Sequence, residues 1–265
     1  MASETILITG ASSGIGLELA RLFAADGSQL ILTARSAETL DKLADEMREQ
    51  HHIEVHVLPD DLTDPAAPER LFNAVDQLGL EVDVLVNNAG FGALDWFWLM
   101  PLEKQLDMIQ LNVKALAELT WRFLQPMQKR DRGQILNVAS TAAFIPGPHM
   151  ATYYATKAFV LSLSEALREE HRRSGIGVTC LCPGPTDTGF ADTANMNGTW
   201  LFRAAMPVNV VARAGYRGLR RNRAIVVPGW RNKILVFLPR FIPRFLVRFT
   251  VGLLQPIPAP HKKKR

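Results

Sequence analysis

Six short apolar runs recur along the first two thirds of this chain, each followed by a segment of helical length. They are TILIT (5–9), QLILTA (29–34), IEVHVL (53–58), VDVLVN (82–87), GQILNVA (133–139) and GVTCLC (177–182). The runs are rich in β-branched residues and apolar at nearly every position, as strands covered on both faces must be. The intervening stretches, such as IGLELARLFAADG, AETLDKLADEMREQ and PAAPERLFNAVDQLG, carry an amphipathic helical pattern. In the third of these, Asp64 followed by Pro65 predicts an N-cap and first turn. Strand–helix alternation at this spacing predicts an α/β Rossmann-type fold: a doubly wound parallel sheet of about seven strands, with right-handed crossovers. A last strand is expected in AIVVPGW (224–230). No repeat or low-complexity linker divides the 265 residues, so one domain is expected over 1–229, and 230–265 form a C-terminal helical, basic-apolar extension that is not an independent domain.

Charge separates those two regions. Residues 1–192 hold all 26 acids and 15 of the 30 basic residues, a balance of about −11. The other 15 Lys and Arg lie from Arg203 to Arg265, where no acid occurs, giving about +15. This polarity predicts an anionic partner at the C-terminal end, a lipid surface rather than nucleic acid. Cys180 and Cys182 sit two apart in an apolar run and read as buried small hydrophobes. The six histidines never cluster with cysteines or carboxylates at ligand spacing, so no metal is expected. The first apolar run begins within a few residues of Met1, without a charged-then-apolar leader, and the expectation is a reducing, cytoplasmic setting.

TGASSGIG (9–16) follows the first strand and opens the first helix. Glycines there allow a tight turn and close approach of backbone to a pyrophosphate lying on the helix N-terminus. The second strand ends TARS, with no acid to grip a ribose 2′-hydroxyl and with Arg35 placed to meet a 2′-phosphate. Further on, TYYATKAF (152–159) sets Tyr153 four residues and Tyr154 three residues before Lys157. Both offsets bring side chains onto one helical face, so local geometry leaves the choice of tyrosine open.

The ordered set TGxxxGxG, DDLTD, NNAG (87–90), Ser140, YxxxK and PG resembles the short, single-domain form of the short-chain dehydrogenase/reductase family over about residues 4–228. The resemblance selects Tyr153 with Lys157 and leaves Tyr154 as a neighbour. It implies NADP(H)-dependent interconversion of a carbonyl and an alcohol, with Asn112, Ser140, Tyr153 and Lys157 as the catalytic group. Ser140 would bond the substrate oxygen, Lys157 would also hold the nicotinamide ribose, and Asn112 would hold a water in the proton relay. An ammonium about 4 Å from a phenol is worth up to roughly 4 kcal/mol at an effective dielectric near 20, which would bring Tyr153 down from its usual pKa of about 10. The resemblance also carries cofactor contacts onto Gly10, Ser12, Ser13, Gly14, Ile15 and Gly16, onto Arg35, Asp61 and Leu62, and onto Asn88, Ala89 and Gly90. CPGPTDTGF (182–190) matches the segment holding the carboxamide and diphosphate, with Pro183, Gly184, Thr186 and Thr188 as its candidates.

The substrate pocket is expected from the segments around Phe91, Trp96, Phe144, Phe190 and Trp200, whose aromatic content and few charges favour a bulky apolar substrate. A homodimer is the expected assembly. The chain departs from many short relatives in lacking an Asp-Gly-Gly turn after the last strand and continuing RNKILVFLPRFIPRFLVRFTVGLL. Lys233, Arg240, Arg244 and Arg248 form a basic stripe on this extension, and Pro239 and Pro243 interrupt it, which argues against a spanning helix. Two readings stay open together: a helix pair packed over the substrate site or a dimer interface, and an in-plane helix bound peripherally to anionic lipid on the cytoplasmic face. A catalytically silent NADP(H) sensor or scaffold is the rival function, although it would most simply have lost Ser140, Tyr153 or Lys157.

Overall fold

The side chains of neighbouring strand residues point to opposite faces, and in this chain both sets are apolar. Ile6 and Ile8, Leu30 and Leu32, Val84 and Val86, and Leu136 and Val138 enter one core cluster. Leu7, Ile31, Leu85 and Ile135 enter the other. The result, in the computed structural model, is a seven-stranded sheet between two helical layers; the structure describes residues 4–190 and 205–254.

Strands β1 (Thr5–Thr9), β2 (Gln29–Thr33), β3 (Val55–Val57), β4 (Val84–Asn87), β5 (Gly133–Val138), β6 (Ile176–Leu181) and β9 (Ile225–Val226) lie in the order β3-β2-β1-β4-β5-β6-β9. Every pairing is parallel. A separate two-stranded ladder joins β7 (Thr186–Asp187) to β8 (Met206–Pro207). Helices α1 (Gly14–Ala25), α2 (Ala37–His51) and α7 (Val208–Arg220) cover one face of the large sheet. Helices α3 (Ala67–Gln77), α5 (Leu116–Lys129) and α6 (Ala151–Glu170) cover the other. Helix α4 (Leu102–Ile109) runs into α5 through a π-helical turn, Gln110–Ala115. The described residues end with α8 (Trp230–Phe237), a 3₁₀ turn (Leu238–Phe241) and α9 (Arg244–Leu254).

The expected start of α3 needs correction. The helix begins at Ala67, with Pro68 in its first turn, rather than at Asp64–Pro65. Asp64 caps the turn before it: its Oδ1 accepts from the Ala66 N–H at 3.0 Å, and Arg70 pairs with the same carboxylate at 2.6 Å. A short aspartate side chain that bonds locally to the backbone offers the chain a turn in competition with the helix.

A buried polar thread ties the two central strands to the helices behind them. Asn87 Nδ2 donates to Thr120 Oγ1 and to Asn137 Oδ1, both at 2.9 Å, and Asn137 Nδ2 donates to Ser164 Oγ at 3.0 Å. It links β4, β5, α5 and α6, directly beneath the ends of β4 and β5. Replacing Asn137 with Ala would leave the Asn87 amide short of an acceptor in a fully buried position. The expected cost is about 2–4 kcal/mol of unfolding free energy. Urea unfolding should read it as a lower midpoint at unchanged slope, and an unaltered midpoint would deny the thread any structural weight.

Candidate active site

The parallel strands all end on one edge of the sheet, and the order reverses between β1 and β4, leaving a crevice there. A cleft of about 1320 Å³ opens on this edge. At one end lies the turn after β1. Gly10 takes φ 65°, and a Cβ on Gly16 would stand 2.3 Å from the Gly10 carbonyl oxygen and 2.5 Å from Asn88 Nδ2. Asn88 Nδ2 donates to the carbonyls of Thr9 and Gly10, so its side chain holds the glycine turn in shape. Ser13 is the N-cap of α1 and its side chain makes no capping bond, which leaves the first amides of the helix directed at the cleft. Ser12, Ser13, Gly14 and Ile15 line that cleft, and Thr188 packs its methyl over Gly14. Gly16 lies behind the lining.

Arg35 lines the cleft beyond β2, exposed and without an ion pair among the described residues. Asp61 and Leu62 line it too; Asp61 Oδ1 accepts from the Thr63 N–H at 3.0 Å and its hydroxyl at 2.8 Å, so this carboxylate also caps its own loop. From the turn after β4 come Asn88, Ala89 and Gly90, and from the segment after β6 come Pro183, Gly184, Thr186 and Thr188.

Deeper in the cleft, Ser140 sits just past β5 as the N-cap of a short 3₁₀ turn. Its Oγ accepts from the Ala142 N–H and donates to the Pro183 carbonyl. Tyr153 and Lys157 project from the same face of α6, both buried, with Lys157 Nζ 5.9 Å from the Tyr153 ring centre. The Ser140 hydroxyl is close enough to act on the Tyr153 phenol. Tyr154 also lines the cleft, but its ring covers Gly147, where a Cβ would come within 2.3 Å of it. Of the two tyrosines, Tyr153 is the one that stands with Ser140 and Lys157.

Burial pushes the Tyr153 phenol well above its ordinary range, and the Ser140 hydroxyl opposes it only in part. The depression expected from Lys157 is therefore absent: burial is the largest influence on the phenol, and Lys157 is not among the groups that shift it. Burial lowers Lys157 to about 8, against an upward pull from Cys180 and Cys182, while its ammonium donates to the Val138 carbonyl at 2.8 Å. The two cysteines are fully buried neighbours in the core, with sulfurs 3.7 Å apart.

Asn112 lies in the π-turn, where the wider winding aims it at the chain after β4. Its Oδ1 accepts from the Phe91 N–H at 3.1 Å, and its Nδ2 donates to the Phe91 carbonyl at 2.9 Å and to Thr156 Oγ1 at 3.1 Å. The side chain is thus spent on fixing Phe91 and Gly90 against α6.

The remaining wall is largely apolar, with Lys104, Asp107, Arg231 and Asn232 among its lining. Phe91 and Phe190 belong to it, as expected; Trp96 and Phe144 do not. Trp96 is partly exposed and stacks edge-on against His149, while Phe144 packs with the cluster around Val160 and Cys180. Trp200 lies outside the described residues. Residues not singled out by sequence complete the wall: Ile145, Met150 and, from the extension, Leu235, Leu238, Val247 and Val251. The signal for the last four was the spacing of aliphatic residues three and four apart, Leu235 with Leu238 and Val247 with Val251.

The model of the family described as short chain dehydrogenase matches residues 4–198. The chain belongs to the short-chain dehydrogenase/reductase family. It is 37% identical over 174 residues to the very-long-chain 3-oxoacyl-CoA reductase of Coprinopsis cinerea, a match covering 64% of this chain and 51% of that protein. The chain thus spans about half the length of that relative. Two solved structures are similar over nearly their whole length. One is a short-chain dehydrogenase from Sphingobium yanoikuyae in complex with NADPH, 32% identical, with a TM-score of 0.81 and 99% of each chain covered. The other is the bulky-bulky ketone specific alcohol dehydrogenase from Comamonas testosteroni, 29% identical, with a TM-score of 0.79 and 100% of this chain and 99% of that one covered.

The position of Lys157 has a measurable consequence for stability. Its folded pKa of about 8 lies below the ordinary 10.5, so below pH 8 the fold bears the full cost of burying the ammonium. That cost is roughly 3 kcal/mol and disappears as pH rises from 8 toward 10.5, because only the unfolded chain still holds the proton there. Lys157→Met should therefore raise Tm by a few degrees at pH 7, less the hydrogen bond to Val138, and the gain should shrink by pH 10. A gain independent of pH would contradict the assignment.

Proposed function

We propose that this protein is an NADP(H)-dependent oxidoreductase that interconverts a ketone or aldehyde and an alcohol on a bulky apolar substrate. The observation that carries the reading is the placement of Ser140 with the buried Tyr153 and Lys157 together in a cleft with largely apolar walls. The cleft suits a nicotinamide dinucleotide on its own chemistry: an uncapped helix N-terminus and close glycine turn for a diphosphate, and Arg35 with no acid at the end of β2 for a 2′-phosphate. Ser12, Ser13, Gly14 and Ile15 would hold the diphosphate, Asp61 and Leu62 the adenine side, and Asn88, Ala89, Gly90, Pro183, Gly184, Thr186, Thr188 and Lys157 the nicotinamide half. When bound, the nicotinamide gives or takes the hydride.

The chain's own residues move the proton and fix the substrate. Ser140 Oγ and the Tyr153 hydroxyl together hold the carbonyl oxygen, which orients the carbon for attack. In the reducing direction Tyr153 donates its proton to that oxygen. A phenol held protonated by burial suits this role, and the positive Lys157 stabilises the phenolate left behind. Asn112 acts by holding Phe91 and Gly90 in place against Lys157. Phe91, Met150 and Phe190 give an apolar wall on which a bulky substituent can lie. Full activity rather than a silent sensing role is favoured because Ser140, Tyr153 and Lys157 are all present and in mutual reach.

Tyr153→Phe should lower turnover of bulky aryl ketones by about 10²–10⁴-fold while NADPH affinity stays near that of the unmodified protein, and Tyr154→Phe should remain active. Reversed behaviour of the two variants would refute the assignment. For the cofactor, Arg35→Asp should weaken NADPH binding far more than NADH binding, through loss of a charge-assisted contact and added repulsion. Titration by cofactor fluorescence reads this directly, and equal affinity of the unmodified protein for both cofactors would overturn it.

A further inference from the structure

Helices α8 and α9 are apolar on two faces, and the cleft uses only one. Leu235, Leu238, Val247 and Val251 point inward to its wall. On the opposite side Phe241, Phe245, Phe249 and Leu253 recur every four residues and are 70%, 61%, 65% and 71% exposed. Trp230 and Phe237 extend the same outer surface along α8. A helix apolar all round is ordinarily buried on all sides, and this one is not.

Beside this surface stand Lys233, Arg240, Arg244 and Arg248, all exposed. None has an ion-pair partner among the described residues, and the sequence contains no acid after Asp192 that could supply one. At 100° per residue Arg244 and Arg248 fall along the edge of the Phe245–Phe249 row. Aromatic side chains bordered by long cationic ones match the boundary of an anionic bilayer: the rings enter the acyl region and the guanidinium groups reach back to the phosphates. No helix among the described residues is long and apolar enough to cross a membrane, so the contact lies in the plane of the surface.

We propose that the outer face of α8 and α9 is a peripheral docking surface for anionic lipid. A second copy of the chain is the competing occupant, and charge opposes it. A two-fold contact sets a surface against itself, which would bring the unpaired basic rows together with no acid to answer them. The proposal stands apart from the proposed reaction, because it concerns the face turned away from the cleft and is measured without turnover.

The test is co-sedimentation of the full chain with phosphatidylcholine vesicles, with and without phosphatidylglycerol, at low and high salt. The protein should pellet with the anionic vesicles at low salt and be released only in part at high salt, since inserted rings do not respond to screening. Arg240→Gln/Arg244→Gln/Arg248→Gln should weaken binding on the order of a hundredfold at low salt. Phe241→Ser/Phe249→Ser should remove the salt-resistant fraction. None of these side chains lines the cleft, so both variants should keep the unmodified Tm and turnover, which separates lost docking from lost folding. Failure of the full chain to pellet with anionic vesicles at low salt would overturn the proposal. So would pelleting that neither variant weakens. A light-scattering mass that falls from dimer to monomer in the phenylalanine variant, without vesicle binding by the full chain, would assign the surface to a second copy instead.

Discussion

Parallel register is the constraint from which the site follows. Because β1, β2, β4, β5 and β6 all run the same way, the segments after them open on one edge, whatever their separation along the chain. Gly10, Arg35, Gly90, Ser140 and Pro183 each lie within a few residues of a strand end, and all five line the same cleft. An antiparallel pairing anywhere in the centre would have sent one of them to the far edge. The crossover helices contribute to the site as well, since α6 both covers the sheet and carries Tyr153 and Lys157 up to the residues that follow β5. The Asn87–Asn137–Ser164 thread fixes that relation, because a rotation of α6 would break hydrogen bonds that have no water to replace them.

Burial then sets the electrostatics of the centre, and it acts on acid and base in opposite senses. It holds the Tyr153 proton on and eases the Lys157 proton off, so each group is moved toward its neutral form. Coulomb attraction taken alone gives the opposite sign for the tyrosine because it omits the loss of hydration. The charges that reverse this balance have to arrive with what the cleft binds. A positive ring or a developing oxyanion, brought into a dry site, acts there at much lower dielectric than in water. On the proposed reaction, the ionised forms would be favoured only once such a group is bound.

How much of this could be read from the sequence divides along physical lines. Strand positions were legible because burial on both faces removes polar residues from them, and the glycine turn because backbone approach excludes a Cβ. Both are local demands. The choice between Tyr153 and Tyr154 was not local: helical spacing admits either, and it took the resemblance, and then the Ser140 contact, to separate them. Trp96 and Phe144 show the limit of composition. An aromatic residue in a variable loop satisfies itself on whatever apolar surface is nearest, which was His149 for one and the core beside Cys180 for the other. The polar thread was equally hidden, since Asn87 and Asn137 in apolar runs look like blemishes until the register pairs them directly, as partners across β4 and β5.

The extension carries the pattern of the rest of the chain one step further. Elsewhere a helix with one apolar face spends it on the sheet. Helices α8 and α9 have no sheet strand beneath them; their inner faces rest on the apolar end of the cleft instead. Without the extension, Leu235, Leu238, Val247 and Val251 would be missing from that wall. Its presence therefore sets the size and the apolar character of that end of the cleft. The same short elements must then be stable while presenting a row of aromatic rings outward, and Pro239 and Pro243 make that feasible. They break what would be one long helix into two segments that bend around the mouth of the cleft. A straight helix of the same composition would touch the cleft at one turn only and leave the remainder unsupported.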